Sequence, residues 1–168
     1  MIERVLDVDI NIDADGWRDV VPRLELTVQL AAEAAFRACG CLEAKAELSI
    51  LMTDNHTIAA LNENWRRKSG PTNVLAFTGE LEGPGPALLG DIVLAIETIV
   101  SEAQVSGIEL ADHISHLIVH GVLHLLGHSH ETDHEAVLME DLETEILETL
   151  GVSDPYKGSQ IKHSEINI

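Results

Sequence analysis

The 168-residue chain is 45% hydrophobic and 23% charged with a formal net charge of −19, proportions that suit one soluble globular domain whose core needs no disulfide or metal staple. No stretch approaches the ~18 consecutive apolar residues that cross a bilayer, and the charged N-terminal run MIERVLDVDINID is unlike a secretory signal, so a cytoplasmic protein without membrane contact is expected. The acidic balance and an aromatic content of only 3% argue against nonspecific nucleic-acid binding, and no DNA partner is expected, because such binding needs cations on phosphates and rings under bases.

Residues 4–10 alternate apolar and polar as a strand does. Residues 22–38 read as a helix with Pro22 in its first turn and Gly40 just past its end. Cys39 and Cys41, separated by one residue, are spaced too closely for an unstrained disulfide and lack the C-x-x-C spacing of zinc ribbons, so they read as packing residues. A half-buried strand is expected over 46–52, then a helix from the N-cap Asp54 to about Arg66. After the turn Ser69-Gly70-Pro71 comes a strand at 73–77, a Gly/Pro-dense loop at 79–90 and a buried strand at 91–96. Helical periodicity covers 97–106 and 109–126, split at Gly107 and stopped at Gly127. A last helix, about 133–150, pairs an apolar stripe of Val137, Leu138, Leu142, Ile146 and Leu147 with an acidic face that reads as solvated. The elements mix without strict βαβ alternation, which predicts an α+β fold: a single compact domain over residues 1–155, with a small, mostly antiparallel or mixed sheet packed with helices. Residues 156–168 read as a loosely ordered tail.

Seven of the nine histidines fall between His113 and His134. His120 and His124, four residues apart on one helix, share a face and can reach one metal ion at ~2.0–2.1 Å each. Gly127 then lets the chain fold back with a third ligand from the following loop, and spacing alone leaves His128, His130 and His134 as candidates. Three neutral imidazoles with one open position describe a catalytic rather than a structural zinc site. The zinc-protease signature H-E-x-x-H carries its general base next to the first ligand. Here that place is Gly121, so a peptidase is disfavoured. No Lys or Arg occurs between Lys68 and Lys157, and Arg66-Arg67-Lys68 is the one basic cluster.

The string HGVLHLLGHSH resembles the signature H-G-x-L-H-L-x-G-[YH]-D-H of the YbeY family, bacterial endoribonucleases of rRNA maturation. LNENWRRKSGPTNVLAF, Leu61 to Phe77, is similar to the family's LN-x-x-[YW]-R-x-K-x-x-P-T-[DN]-V-L-[SA]-F block. Leu89-Gly90-Asp91-Ile92 and His116-Leu117 fall in family order, and the resemblance spans roughly residues 48–150. It implies one zinc ion per chain on His120, His124 and His130, and places the family arginine at Arg66. The family usually has Asp before the third histidine; this chain has Ser129, which alters the tuning of the site rather than the ligation.

The resemblance implies a zinc-dependent single-strand endoribonuclease acting in 16S rRNA 3′-end maturation and ribosome quality control, with ribosomal RNA and small-subunit components as partners. Arg66 has the planar fork that suits a phosphate. His116, one turn before His120, is either a proton relay or a buried structural histidine. Two other functions fit the same residues: a non-enzymatic ribosome assembly factor with a structural metal, and a metal-dependent hydrolase of another phosphoester.

Overall fold

The computed structural model describes residues 5–40 and 45–157. Its elements run β1 (Leu6–Ile12), α1 (Leu24–Cys39), β2 (Ala46–Thr53), α2 (Asn55–Arg66), β3 (Val74–Thr78), β4 (Ala87–Ala95), α3 (Ile96–Ser106), α4 (Leu110–Leu125) and α5 (Asp133–Thr149), with a 3-10 turn at Asp15–Trp17. The α+β reading therefore holds.

The sheet order is β1-β2-β4-β3, with β1 parallel to β2, β2 parallel to β4, and β3 antiparallel to β4. The expected mixed sheet is present, but its balance is parallel rather than antiparallel. The reason is α1, which carries the chain from the end of β1 back to the start of β2, a crossover that parallel pairing requires. β4 also begins earlier than residue 91, at Ala87. Leu88 and Leu89 already alternate outward and inward there, so the irregular loop is shorter than its Gly and Pro content suggested.

α4 lies at the centre. Ile114, Leu117, Ile118, Val119, Val122 and Leu123 are all at 0% exposure, and His113, His116 and His120 are buried with them, so this helix is enclosed around most of its circumference. α1, α3 and α5 pack against it, and its inner side rests on the sheet. Gly121 permits that close approach, since a Cβ there would stand 2.9 Å from Ile92 Cδ1 of β4. Among the described residues, α2 packs on the opposite sheet face through a small cluster of Ile58, Leu75, Val93 and Ala95. No helix among the described residues is long and apolar enough to cross a membrane.

α5 is rotated from the expected phase. Val137 and Leu138 are 54% and 55% exposed, while Met139, Glu143, Ile146 and Leu147 face inward. The acidic face read as solvated thus contributes one carboxylate to the core. The start of α5 is fixed by a capping box: Thr132 accepts from the Glu135 N–H and Glu135 accepts from the Thr132 N–H. Thr132→Ala should cost about 1 kcal/mol and lower the melting temperature by about 2–4 °C, measured by calorimetry. An unchanged melting temperature would show that the box does not hold α5.

Candidate metal centre and phosphate-facing cleft

His116, His120 and His124 recur every fourth residue along α4 and so share one face. The helix ends in a Schellman turn: the Gly127 N–H donates to the His124 carbonyl and the His128 N–H to the Leu123 carbonyl, both at 3.0 Å. Gly127 takes φ +99°, which a side chain resists. The reversal brings His130 back over the helix, with its ring centroid 5.5 Å from that of His120 and the planes tilted by 40°. His128 turns elsewhere, its Nε2 lying 3.4 Å from the Cys39 thiol of α1. His134 is exposed on the first turn of α5. Cys41 lies outside the described residues. His113 faces α3, where Glu102 meets its Nε2 at 2.7 Å.

The organising group of this cluster is one that sequence reasoning missed. Glu143 of α5 is at 0% exposure. One of its oxygens accepts from His120 Nδ1; the other accepts from His116 Nε2 at 3.0 Å and from the Tyr156 hydroxyl. Burial pushes the Glu143 carboxyl up, but these hydrogen bonds and the adjoining histidines override it and hold the group ionised, well below the usual carboxylate range. Burial and the Glu143 charge together push the Tyr156 phenol up, so it stays a donor. Because the His120 Nδ1–H is committed to Glu143, Nε2 is left as the basic ring nitrogen, the carboxylate–histidine arrangement typical of metal ligands.

Burial pushes His120 below its ordinary pKa even against the Glu143 hydrogen bond. His124 falls to about 4, through burial first and then through His120, Arg66 and His130. Both imidazoles are therefore neutral at pH 7, the form that coordinates metal. His124 Nδ1 is buried with no hydrogen-bond partner among the described residues, which is unusual for a polar atom satisfied by protein alone. Among the described residues no group of three or more His, Cys, Asp or Glu side chains is arranged to hold a metal ion. What fits a metal here is the donor chemistry: neutral rings, a fixed tautomer and an apolar surround.

Arg66, the last residue of α2, is half-buried and reaches the edge strand β3. One amino group donates to the Ala76 carbonyl, and the guanidinium carbon stands 5.5 Å from the Phe77 ring centroid. Its charge contributes, after burial and His120, to the depressed pKa of His124. Arg67 and Lys68 are exposed beyond it. Among the described residues the Ser129 hydroxyl turns to the start of α5 rather than to a histidine ring. It accepts from the Glu131 N–H at 3.2 Å and lies 3.4 Å from a Glu135 oxygen. An Asp there would set a second carboxylate beside Glu135.

A family model described as Endoribonuclease YbeY matches residues 11–151. The chain belongs to that family. Relatives named Endoribonuclease YbeY include that of Paramagnetospirillum magneticum, 43% identical over 157 residues, covering 90% of this chain and 96% of the relative. That of Azorhizobium caulinodans is 44% identical over 154 residues, covering 90% and 96%. The solution structure of TM1509 from Thermotoga maritima shares the fold with a TM-score of 0.57 at 20% identity, over 84% of this chain and 87% of that one. The family match thus reaches some forty residues further toward the N-terminus than the motifs that first suggested it, and takes in part of β1 and all of α1.

The boundary near residue 155 also shifts. Tyr156 belongs with the folded domain, its hydroxyl on Glu143 and its ring 5.4 Å from that of His116. Residues 158–168 lie outside the described part. Tyr156→Phe removes a donor from a buried carboxylate and should cost about 1.5–3 kcal/mol, measured by urea unfolding. A loss within error of zero would return residue 156 to the tail.

Proposed function

We propose that this chain, an endoribonuclease by family, cuts single-stranded ribosomal RNA in the cytoplasm with one zinc ion on His120, His124 and His130. Its place in the cell is maturation of the 16S rRNA 3′ end and ribosome quality control, alongside components of the small subunit. One observation carries the metal part of the reading: the buried Glu143 carboxylate fixes the His120 tautomer with Nε2 basic, while the Gly127 turn returns His130 to the same ring.

Bound there, zinc would supply Lewis-acid polarisation of a phosphoryl oxygen. The protein's own residues do the rest. Arg66 has spent one amino group on Ala76 and packs on Phe77, which fixes the plane of its guanidinium. Its remaining N–H donors suit the non-bridging oxygens of a phosphodiester, and their charge opposes the negative charge that builds as the bond breaks. His116 is 1% exposed behind Glu143, so we assign it a positioning role through that carboxylate rather than a direct relay to substrate. Gly121 leaves no base where a peptidase needs one, and its contact with Ile92 leaves little room for any side chain.

Metal content and cleavage of single-stranded rRNA, measured on the same samples, test this reading. His124→Ala should lose both together while circular dichroism stays native. Arg66→Ala should keep its zinc and lose about 10²–10³ in kcat. Cleavage that survives in metal-free protein would defeat the proposal. Separately, Glu143→Gln should weaken zinc binding about 10–100-fold in a chelator competition, and equal affinity would show that the carboxylate does not set the ligand.

A further inference from the structure

Among the described residues, α2 packs on the outer face of the sheet over its β3–β4 half. Beside α2 a groove of about 540 Å³ extends toward β1. The strand registers fix its floor: Asp9, Ser49, Asp91 and Phe77 stand side by side across β1, β2, β4 and β3 as one rung, with Asn11 on the next. Trp65 forms the wall. It is 71% exposed, and its ring meets Phe77 edge-on at 6.5 Å between centroids. Arg66 lies against the same Phe77 ring, so the groove adjoins the arginine proposed to hold phosphate.

The distribution of rings is selective. The chain has two Trp, two Phe and one Tyr. Trp17 and Phe36 are core residues, and Tyr156 serves Glu143. Both remaining aromatics are in this groove, in a protein otherwise poor in stacking surface. Its charge is equally telling. The residues that line it include the carboxylates Asp9 and Asp91 and no Lys or Arg, so it repels a phosphate. Carboxylates accept hydrogen bonds only. They match the exocyclic amino groups of adenine, cytosine and guanine, whereas uracil lacks an amino group and offers on its pairing edge a single N3–H flanked by two carbonyl oxygens that the carboxylates repel.

We propose that this groove is a nucleobase subsite: it stacks a base of the single-stranded RNA held at Arg66 on Trp65 and selects amino-bearing bases over uracil through Asp9 and Asp91. The subsite rests on the reading of the chain as an RNA endonuclease, and it adds a base preference to that reading. A base on Trp65 and a phosphate on Arg66 are neighbouring parts of one nucleotide strand, as Trp65 and Arg66 are neighbours in sequence.

The test titrates zinc-loaded protein with AMP, CMP, UMP and ribose 5-phosphate, which contain no internucleotide bond to cut. Trp65 emission reports stacking, because Trp17 is buried with its indole N–H on the Thr53 carbonyl and stays constant. AMP and CMP should quench that emission, UMP should bind more weakly, and ribose 5-phosphate should leave it unchanged. In equilibrium dialysis Trp65→Leu should bind AMP at least about five-fold more weakly. Asp91→Ala should narrow the gap between AMP and UMP. Circular dichroism and zinc content should match wild type in both variants, since both side chains are exposed.

Equal binding of AMP and ribose 5-phosphate, or wild-type affinity in Trp65→Leu, overturns the subsite. So does Trp65 emission that changes with protein concentration alone, which would mean a second copy covers the groove. The outcomes separate from those of the nuclease reading. Protein that binds AMP through Trp65 yet leaves RNA uncut supports the subsite and defeats the nuclease. Cleavage that is indifferent to Trp65 and to base identity does the reverse.

Discussion

Taking the Glu143 carboxylate out of water is costly unless donors replace the lost hydration, and the described residues supply three of them from two parts of the chain. Two come from successive turns of α4, through His116 and His120, and the third comes from Tyr156, beyond the end of α5. The carboxylate therefore fastens α4, α5 and the segment after α5 to one another, and it orients the histidine at the centre of the cluster. Removing any one donor leaves the remaining two to satisfy an ionised buried group. The arrangement explains why an acidic residue sits on the inward face of a helix whose other inward residues are Met139, Ile146 and Leu147.

The same bond organises the site electrostatically. An imidazole buried at 0% exposure should be neutral and could carry its proton on either nitrogen. Glu143 removes that freedom for His120. His124 becomes neutral by a different route, through burial and the nearby positive charge of Arg66. A chain with a net charge of −19 thus gathers three of its ten Lys and Arg in one run, Arg66 to Lys68, and the first of them is a neighbour whose charge His124 feels.

Much of this was legible in the sequence for physical reasons that can be named. The i, i+4 spacing of His120 and His124, the stop at Gly127 and the N-cap Asp54 are local signals, and each appears where expected. Spacing left His128, His130 and His134 open as the third ligand and the resemblance pointed to His130; the structure holds the His130 ring near that of His120 and turns His128 to Cys39. Strand order was not legible, because pairing β2 between β1 and β4 joins segments far apart in the chain. Glu143 was hidden by the phase of α5. Counting Val137 and Leu138 into the stripe rotates the helix and turns Glu143 outward. The available signal was an acidic residue four places after Met139 and three before Ile146, facing a helix of regularly spaced histidines.

The hydrogen bond from Arg66 to Ala76 has a second consequence. β3 is an edge strand, paired only with β4 in the sheet order, and an uncovered edge invites a further strand from another chain. By occupying a carbonyl on that edge, the guanidinium also acts as a guard against intermolecular strand addition. An arginine at this position thus serves the fold whether or not it also meets substrate, so its presence is not by itself a record of catalytic activity.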